Sequence, residues 1–207
     1  MIRLEHVSLT IKGKQILQDI NLEVKAGEIV GLIGYNGSGK TMVMKCICGF
    51  NATYEGDIFI QDENIRNTPE FSNNIGLIIE TPGFIPYFTG MKNLKILADL
   101  NKKADAKKVR EYMEGVGLDP DSKLTVRKYS LGMRQRLGIA QALMEDPDIL
   151  VLDEPLNGLD YDMSQQVRKV LLAEKEKGKA ILITSHNPYD IDLLCDRVYK
   201  ISKGKLE

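Results

Sequence analysis

The sequence contains no tryptophan and no long apolar segment, and its charges nearly cancel. Lysine and arginine number 28 and aspartate and glutamate 29, which leaves a net charge of -1. A near-neutral chain has no global attraction for nucleic acid, so we expect no nucleic-acid partner. No apolar run approaches the roughly 18 residues that a membrane-spanning helix needs, and Met1–His6 does not predict a signal peptide. Any membrane span is therefore expected in another chain.

Cysteine is also scarce, and its three positions exclude a metal-binding pattern. Cys46 and Cys48 are two residues apart on a predicted helix, so their side chains point in different directions. Cys195 stands alone, and no second cysteine pair exists to complete a metal site. We expect three reduced thiols in or near the core, which is typical of a cytoplasmic protein.

Residues Gly34–Thr41 match the phosphate-binding pattern G-x-x-x-x-G-K-[ST]. The apolar run Ile29–Ile33 before them predicts a buried strand, and Met42–Ile47 after them predicts a helix. The glycines allow backbone N–H groups to approach phosphate oxygens at the helix N-terminus. Lys40 is suited to contact the β- and γ-phosphates, and the Thr41 hydroxyl is suited to bind Mg²⁺. The strand–loop–helix context favours a phosphate-binding loop, or P-loop, over a chance glycine-rich turn.

Along the whole chain, the apolar pattern predicts strands that alternate with helices. Strands are predicted at 2–11, 16–24, 29–33, 55–61, 75–79, 149–152, 180–184 and 197–201. Helices are predicted at 42–47, 91–100, 105–115, 130–144 and 161–177. Such alternation is typical of a mainly parallel sheet with crossover helices. We predict an α/β fold with a P-loop NTPase core, an N-terminal antiparallel β-subdomain and an inserted α-helical subdomain. The core would comprise 1–84 and 146–207 of a single 1–207 domain, and the helical subdomain 85–145.

Two carboxylates follow the predicted buried strand Ile149–Leu152. Ligands of open α/β sheets bind at the carboxyl ends of strands, which is where Asp153 and Glu154 lie. Asp153 is suited to hold Mg²⁺, directly or through water, and Glu154 is suited to activate a water molecule. Paired acids end many strands, so the functional interpretation depends on the P-loop being present.

The segment Tyr129–Arg136 predicts a capped helix with a second anion-binding end. Ser130 is a good N-cap, and Gly132 permits close approach to the positive helix terminus. No ligand for this terminus is evident in the same chain. From these residues alone, an ordinary capped helix is the favoured interpretation.

The order of these motifs resembles the nucleotide-binding domain of ABC transporters. The resemblance covers essentially the whole chain and rests on five segments: Gly34–Thr41, Tyr129–Met133, Leu152–Pro155, Asn157–Asp160 and Ser185–His186. The Tyr-Ser-Leu-Gly-Met form is similar to bacterial exporters of the bacitracin-resistance and lantibiotic-immunity type. The resemblance implies an ATPase that uses ATP and Mg²⁺ and drives a separate integral membrane permease. It would lie in the cytoplasm, peripheral on the inner face of the cell membrane, and would support export of an antibiotic, peptide or other small molecule.

The resemblance also implies a dimer, expected to be a homodimer, that buries two ATP molecules between its subunits. Ser130 and Gly132 would contact the γ-phosphate bound by the partner, and Asp160 lies in the loop that links the two sites. Catalytic roles are implied for Lys40, Glu154 and His186. Nucleotide contacts are implied for Ile11, Gly34, Tyr35, Asn36, Gly37, Ser38, Gly39, Lys40, Thr41, Met42, Ser130, Gly132 and Asp160, and metal contacts for Thr41, Asp153 and Glu80. His6, on the first predicted strand, is interpreted as structural.

Three positions depart from the family pattern. Glu80 stands where glutamine is usual, so its charge is expected to change metal affinity or coupling to the permease. Leu131 and Met133 replace a glycine and a glutamine of the usual serine–glycine motif. Ile11 stands where an aromatic ring often stacks on adenine, and an aliphatic side chain packs there without a stacking contribution.

The segment Glu80–Leu94, which includes the apolar cluster Phe84–Phe88, is the predicted docking surface for the permease. Core packing between subdomains is the alternative interpretation of this cluster. Two other functions are weighed against a transport motor. A soluble ABC-type protein acting on DNA or ribosomes would need a long coiled-coil insertion or a second nucleotide domain, and 207 residues hold neither. An ATP sensor that hydrolyses poorly would not need Glu154 and His186.

Overall fold

The computed structural model describes residues 1–67, 74–80 and 83–207, and they form the predicted α/β fold. Its strands are β1 (Ile2–Ile11), β2 (Lys14–Val24), β3 (Ile29–Ile33), β4 (Tyr54–Ile60), β5 (Glu63–Asn64), β6 (Ile75–Ile78), β7 (Ile149–Leu152), β8 (Ala180–Ile183), β9 (Arg197–Ser202) and β10 (Lys205–Leu206). Its helices are α1 (Lys40–Ile47), α2 (Gly90–Asn101), α3 (Ala106–Gly115), α4 (Leu131–Leu143), α5 (Tyr161–Glu176) and α6 (Pro188–Leu194), with a 3₁₀ turn at Val126–Lys128.

The N-terminal strands form an antiparallel sheet in the order β2-β1-β4-β5. Apolar residues alternate with polar ones along β1 on either side of a bulge at Glu5–His6, where His6 has a φ of 52°. The bulge restores the register, so Ile2, Leu4, Val7 and Leu9 are all buried on one face. The opposite face carries the charged and polar residues. The predicted antiparallel β-region is thereby confirmed.

The second sheet has the order β10-β9-β3-β8-β7-β6, and all of its strands except β10 run parallel. Strand β3 lies between β9 and β8, and β7 is the next strand after β8. Because parallel strands end at the same edge of a sheet, the segments that follow β3, β7 and β8 meet there. These segments are the P-loop, the acidic pair and the Thr184–His186 turn.

The two faces of the parallel sheet bury two separate hydrophobic clusters. Val30, Leu32 and Leu182 on one face pack with α1 and the antiparallel sheet. Ile29, Leu150 and Ile181 on the other face pack with α3, α4 and α5. Strands β3, β7 and β8 are therefore apolar at nearly every position, as expected for strands covered on both faces.

Helices α2, α3 and α4 occupy the chain between β6 and β7. Side chains at their N-caps hold the first turns: Thr89 accepts a hydrogen bond from the Lys92 N–H, Asp105 from Lys108, and Ser130 from Met133. The 3.6-residue period predicts an apolar side of α3 with Val109, Tyr112, Met113 and Val116. Val109, Met113 and the C-cap residue Val116 are fully buried, and Tyr112 is partly buried. The subdomain boundaries at 85–145 remain a prediction. Across the described ranges, no helix is long and apolar enough to cross a membrane.

Several element boundaries differ from the prediction. Helix α1 begins at Lys40, two residues early, because Gly39 has a left-handed φ of 119° and turns the loop directly into the helix. Strand β2 begins at Lys14 because the hairpin turn at Lys12–Gly13 is tight. Helix α5 ends at Glu176, and Gly178 follows with a left-handed φ.

The short elements α6, β5 and β10 were not predicted. The start of α6 carries a signal that the apolar pattern missed: Asn187 caps the helix and Pro188 occupies its first turn.

The three cysteines are free thiols, as predicted. Cys46 and Cys48 are buried in the cluster beneath α1. Burial raises the pKa of each of the three thiols to about 12, because the thiolate would lose its hydration. They therefore stay protonated and unreactive near neutral pH.

A buried ammonium group joins β8 to its neighbours. The Lys179 Nζ lies 2.7 Å from the Asp146 carboxylate in the turn before β7 and 2.8 Å from the Glu174 carboxylate on α5. Lys108 of α3 also reaches Asp146, at 3.3 Å. Opposite charges at this distance offset the cost of burying Lys179, whose side chain is 6% exposed.

Gly76 on β6 is expected to tolerate no side chain, because an added Cβ would lie 2.0 Å from the Ala142 backbone oxygen of α4. Gly76→Ala should lower the free energy of unfolding by about 3 kcal/mol, since backbone must move to admit the methyl group. Gly115→Ala is the matched control, because no heavy atom lies within 4 Å of a Cβ there. Urea unfolding of both variants measures the difference, and equal midpoints would contradict the tight crossing of β6 and α4.

The Asp146 pair predicts a pH-dependent contribution to stability. The Lys179 ammonium holds the pKa of the Asp146 carboxyl below its usual value of 3.8. The stabilisation is therefore present above pH 3.8 and is lost as the pH falls through the lowered folded pKa, because the unfolded chain takes up the proton first. Asparagine tolerates the left-handed backbone that Asp146 adopts, so Asp146→Asn tests the charge alone. Because the Asp146 side chain is half-exposed, the substitution should lower the free energy of unfolding by at most about 1 kcal/mol at pH 7. Urea unfolding should show that difference shrinking toward pH 3; a constant difference would argue against the charge pair.

Candidate nucleotide site

The P-loop joins β3 to α1 through left-handed glycines. Gly37 and Gly39 have φ of 77° and 119°, a region that residues with a Cβ rarely adopt. Gly39 ends the loop at the N-terminus of α1, and no side chain caps this helix. Its first N–H groups are therefore available to an anion, which is the arrangement predicted from the sequence.

Lys40 folds back over the loop that precedes it. Its Nζ donates to the carbonyl oxygens of Gly34 at 2.7 Å and Tyr35 at 3.2 Å, and the residue is 7% exposed. The ammonium group therefore lies over the loop that would cradle phosphate. Tyr35 itself is 83% exposed, and its side chain extends away from the fold.

Asp153 lies at the carboxyl end of β7 and receives hydrogen bonds from two hydroxyl groups. Thr41 of α1 donates to its Oδ2 at 2.9 Å, and Thr184 after β8 donates to its Oδ1 at 2.7 Å. The same Thr184 hydroxyl accepts the backbone N–H of Glu154 at 2.9 Å. A continuous hydrogen-bonded chain thus connects three segments of the sheet edge.

Glu154 faces His186 at the mouth of the site. The backbone N–H of His186 donates to Glu154 Oε2 at 3.3 Å, and the ring atom Nε2 of His186 lies 3.0 Å from Oε1. Oε1 lies beside the ring but accepts no well-directed hydrogen bond from it. Burial raises the pKa of the Glu154 carboxyl, and the nearby His186 offsets part of that effect. A carboxylate that is destabilised in this way is a better proton acceptor than an exposed glutamate.

A buried ion pair supports the turn that carries His186. Arg168 of α5 donates to Asp190 of α6 at 3.0 Å, and both residues are at most 5% exposed. Ser185 donates to the other Asp190 oxygen at 3.3 Å and accepts the Asn187 N–H at 3.1 Å. Sequence reasoning missed Arg168 and Asp190, because they are 22 residues apart and belong to no short motif.

The P-loop, the acidic pair and His186 line a cavity of about 240 Å³. It brings P-loop residues together with the acidic pair and the histidine, and its lining residues are Ile16, Asn36, Gly37, Gly39, Lys40, Thr41, Met42, Asp153, Glu154 and His186. The sequence did not indicate Ile16 of β2 as a site residue. Ile11, predicted as the adenine contact, is half-buried at the end of β1 and does not line this cavity.

Glu80 forms an ion pair outside the hydroxyl–carboxylate chain. Its Oε1 lies 2.6 Å from the Lys45 Nζ of α1, and its side chain is 65% exposed. A second cavity of about 240 Å³ brings Glu80 near Asp153 and Glu154 on the side facing α4. The structure therefore brings Glu80 close to the acidic pair while pairing it with a lysine that the sequence did not single out.

The oxygen atoms of Thr41 and Asp153 fit a bound Mg²⁺. Hydroxyl and carboxylate oxygens are hard ligands, and Mg²⁺ in nucleotide sites usually takes only one or two protein ligands beside phosphate and water. The described residues contain no cluster of three or more histidine, cysteine or acidic side chains arranged to hold a metal by themselves. This donor set therefore suits a metal that arrives with a nucleotide.

Ser130, Gly132 and Asp160 lie apart from the P-loop cavity of their own chain. Ser130 and Asp160 are exposed and cap α4 and α5. Gly132 packs closely under the Asn157–Asp160 loop, since an added Cβ would lie 2.9 Å from the Gly158 carbonyl oxygen. His6 is exposed, contacts Asp19 at 2.7 Å and does not line the P-loop cavity.

Comparison with known proteins agrees with this geometry. The profile of the family described as ABC transporter matches residues 17–157. The uncharacterized ABC transporter ATP-binding protein YybJ of Bacillus subtilis is 41% identical over 100% of this chain and 95% of its own length. The bacitracin transport ATP-binding protein BcrA of Bacillus licheniformis is 41% identical over 94% of this chain and 64% of its own length. The dimeric post-hydrolysis structure of the ATP-binding cassette MJ0796, bound to ADP and Pi, shares the fold with a TM-score of 0.90 and 22% identity, covering 100% of this chain and 97% of that chain.

The matched region contains the P-loop, the acidic pair and the Tyr129–Met133 segment, and YybJ matches the chain along nearly its full length. The predicted family is therefore confirmed on both the motifs and the whole chain. This protein belongs to the ABC transporter family as an ATP-binding subunit, and its nucleotide site is that of an ATPase.

Proposed function

We propose that this chain hydrolyses Mg²⁺-ATP as one half of a dimeric motor and thereby drives a separate membrane permease. The observation that carries the proposal is the cavity shared by the P-loop, Asp153, Glu154 and His186. A binding-only site needs the loop, whereas hydrolysis also needs an acceptor for the proton of water. Glu154 supplies that acceptor, and His186 orients its carboxylate.

Each catalytic role follows from a contact in this cavity. Lys40 exchanges its two loop carbonyls for phosphate oxygens, because an anion is the better partner for an ammonium group. Thr41 and Asp153 would hold Mg²⁺, which supplies charge neutralisation between the β- and γ-phosphates. Glu154 accepts a proton from the attacking water. His186 keeps the Glu154 carboxylate directed into the site, and it lines the same cavity as the P-loop, where it would contact the γ-phosphate.

The dimer is proposed because Ser130 and Gly132 form an anion-binding helix end without an anion in their own chain. Ser130 is exposed and Leu131 beside it is 55% exposed, although both stand at the start of a mostly buried helix. A second copy arranged head to tail would place this terminus on the partner's γ-phosphate. The dimeric state of MJ0796 supports the same arrangement.

The permease is proposed to dock on the segment after β6. Phe84 packs against the helical core, whereas Ile85 and Tyr87 are 44% and 71% exposed. The loop is held in place by backbone bonds from Val126 to Phe88 and from Arg127 to Pro86. Phe84 thus contributes to core packing, whereas Ile85 and Tyr87 are exposed and would be available to a partner. Residues 81–82 of the predicted surface lie outside the described residues.

The remaining assignments follow from the family. A chain bound to a permease in this way would lie peripherally on the cytoplasmic face of the membrane. The name of BcrA supports export of a bacitracin-like peptide antibiotic as the transported class.

Glu154→Gln should abolish turnover, because the amide cannot accept the water proton. ATPase activity is expected to fall by about 10³-fold or more, while ATP binding persists. The variant should also remain dimeric in Mg²⁺-ATP, as measured by light scattering. Turnover equal to that of the wild type would reject Glu154 as the base and would favour a different catalytic group; an inactive wild type would favour the sensor.

The role of Ser130 across the dimer can be tested by mixing two inactive proteins. Ser130→Asp keeps the helix cap but places a negative charge toward phosphate, and Lys40→Ala removes the phosphate contact. A mixed dimer contains one intact site only if Ser130 acts on the partner's nucleotide. We expect each variant alone to be inactive and the mixture to recover up to about half of wild-type activity per mixed dimer.

Asp105→Ser provides a control for the cost of exchanging a cap, because it makes the reverse exchange at the N-cap of α3, outside the proposed interface. Its turnover should equal that of the wild type. An inactive mixture of two folded proteins would place Ser130 outside the partner's site.

A further inference from the structure

The backbone of Glu154 has a conformation that glutamate avoids. Its φ is 51°, in the left-handed region, where the Cβ crowds the following carbonyl oxygen. Such a residue persists only when its surroundings hold it there. The residue in this strained position is the one proposed to activate water, so the groups that hold it bear directly on catalysis.

Both backbone polar groups of Glu154 have side-chain partners from distant elements. Its N–H donates to the Thr184 hydroxyl at 2.9 Å, from the segment after β8. Its carbonyl oxygen accepts from Gln135 Nε2 of α4 at 3.0 Å and from the Asn157 backbone N–H at 3.1 Å, and Gln135 also donates to the Pro155 carbonyl at 3.2 Å. Neither backbone group of Glu154 takes part in a strand ladder, since β7 ends at Leu152.

The Thr184 side chain contacts Glu154 and Asp153 through its hydroxyl group. The residue is fully buried, and its oxygen simultaneously accepts from Glu154 and donates to Asp153. Serine and threonine are suited to this double role, because one oxygen must be donor and acceptor at once. Valine has the same shape but would leave the Glu154 N–H and one Asp153 oxygen without partners in a water-poor site.

Gln135 has a comparable role from the opposite side. It is 9% exposed and lies on α4, the helix that Ser130 caps. Its amide therefore links the second turn of α4 directly to the backbone of Glu154 and Pro155.

We propose that Thr184 and Gln135 are positioning residues for ATP hydrolysis, which hold Glu154 in its left-handed conformation and so direct its carboxylate into the site. The proposal rests on the role assigned to Glu154 above. It assigns no contact with nucleotide to either residue. Their loss should therefore lower kcat while leaving ATP binding nearly unchanged.

The principal test compares Thr184→Val with Thr184→Ser. We expect kcat to fall by about 30-fold in the valine variant, because a misdirected base loses the aligned geometry, and to stay within about threefold of wild type in the serine variant. The KM for ATP should change by less than about twofold in both. Gln135→Met, which removes the amide donor at similar length, should lower kcat about tenfold with the same pattern.

Two further measurements separate positioning from general stability. Amide hydrogen exchange of Glu154 in the nucleotide-free protein should accelerate by about tenfold in Thr184→Val and remain slow in Thr184→Ser. In a Glu154→Gln background, Thr184→Val should lower residual turnover much less than it does in the wild type, because only its hydrogen bond to Asp153 then still affects the reaction. Ser164→Ala is the matched control for a buried hydroxyl, since Ser164 of α5 is 7% exposed and lies outside the site.

The outcomes distinguish this inference from the proposed function. Wild-type kcat in a folded Thr184→Val protein, or an equally large loss in the Glu154→Gln background, would overturn the positioning role alone. Full activity of Glu154→Gln itself would overturn the function assigned to Glu154. If Thr184→Val does not fold, Gln135→Met decides the question: unchanged kcat and unchanged Glu154 exchange would overturn the proposal.

Discussion

The Asp153 carboxylate connects the parts of the nucleotide site. One carboxylate oxygen accepts a hydrogen bond from the hydroxyl group of Thr41, on the helix after the P-loop, and the other accepts one from the hydroxyl group of Thr184, after β8. The parallel order of β3, β8 and β7 makes this possible, because it places three chain segments at one edge. A carboxylate held from two sides loses little further freedom when a metal and nucleotide bind, so the site is largely preorganised.

The apolar strands beneath the site also help to hold its polar groups in place. Strands β7 and β8 are buried on both faces, so the polar groups at their ends cannot drift into the core or shift register without exposing aliphatic side chains. The buried Arg168–Asp190 pair then holds the turn that carries His186. A left-handed Glu154 at this point costs stability that the surrounding packing and hydrogen bonds offset.

The sequence indicates much of this arrangement because its motifs are contiguous. The P-loop is read from eight adjacent residues, and the acidic pair from a four-residue apolar run with two acids after it. The cap at Ser130 follows from local helix chemistry, and the α3 stripe from the 3.6-residue period. Boundaries shifted by one or two residues where a glycine or tight turn redirected the chain, as at Lys40 and Lys14.

Fold class and family were thus determined by the sequence itself, which also indicated the P-loop and the acidic pair as the candidate site. The tertiary structure alone decided which distant groups complete the site. Thr184 reaches Asp153 across 31 residues, Gln135 reaches Glu154 across 19, and Lys45 pairs with Glu80 across 35. It also adds Ile16 to the lining of the P-loop cavity, a residue that the sequence did not single out. Local patterns report backbone preference and burial, whereas these contacts depend on strand order and helix placement, which no short segment encodes.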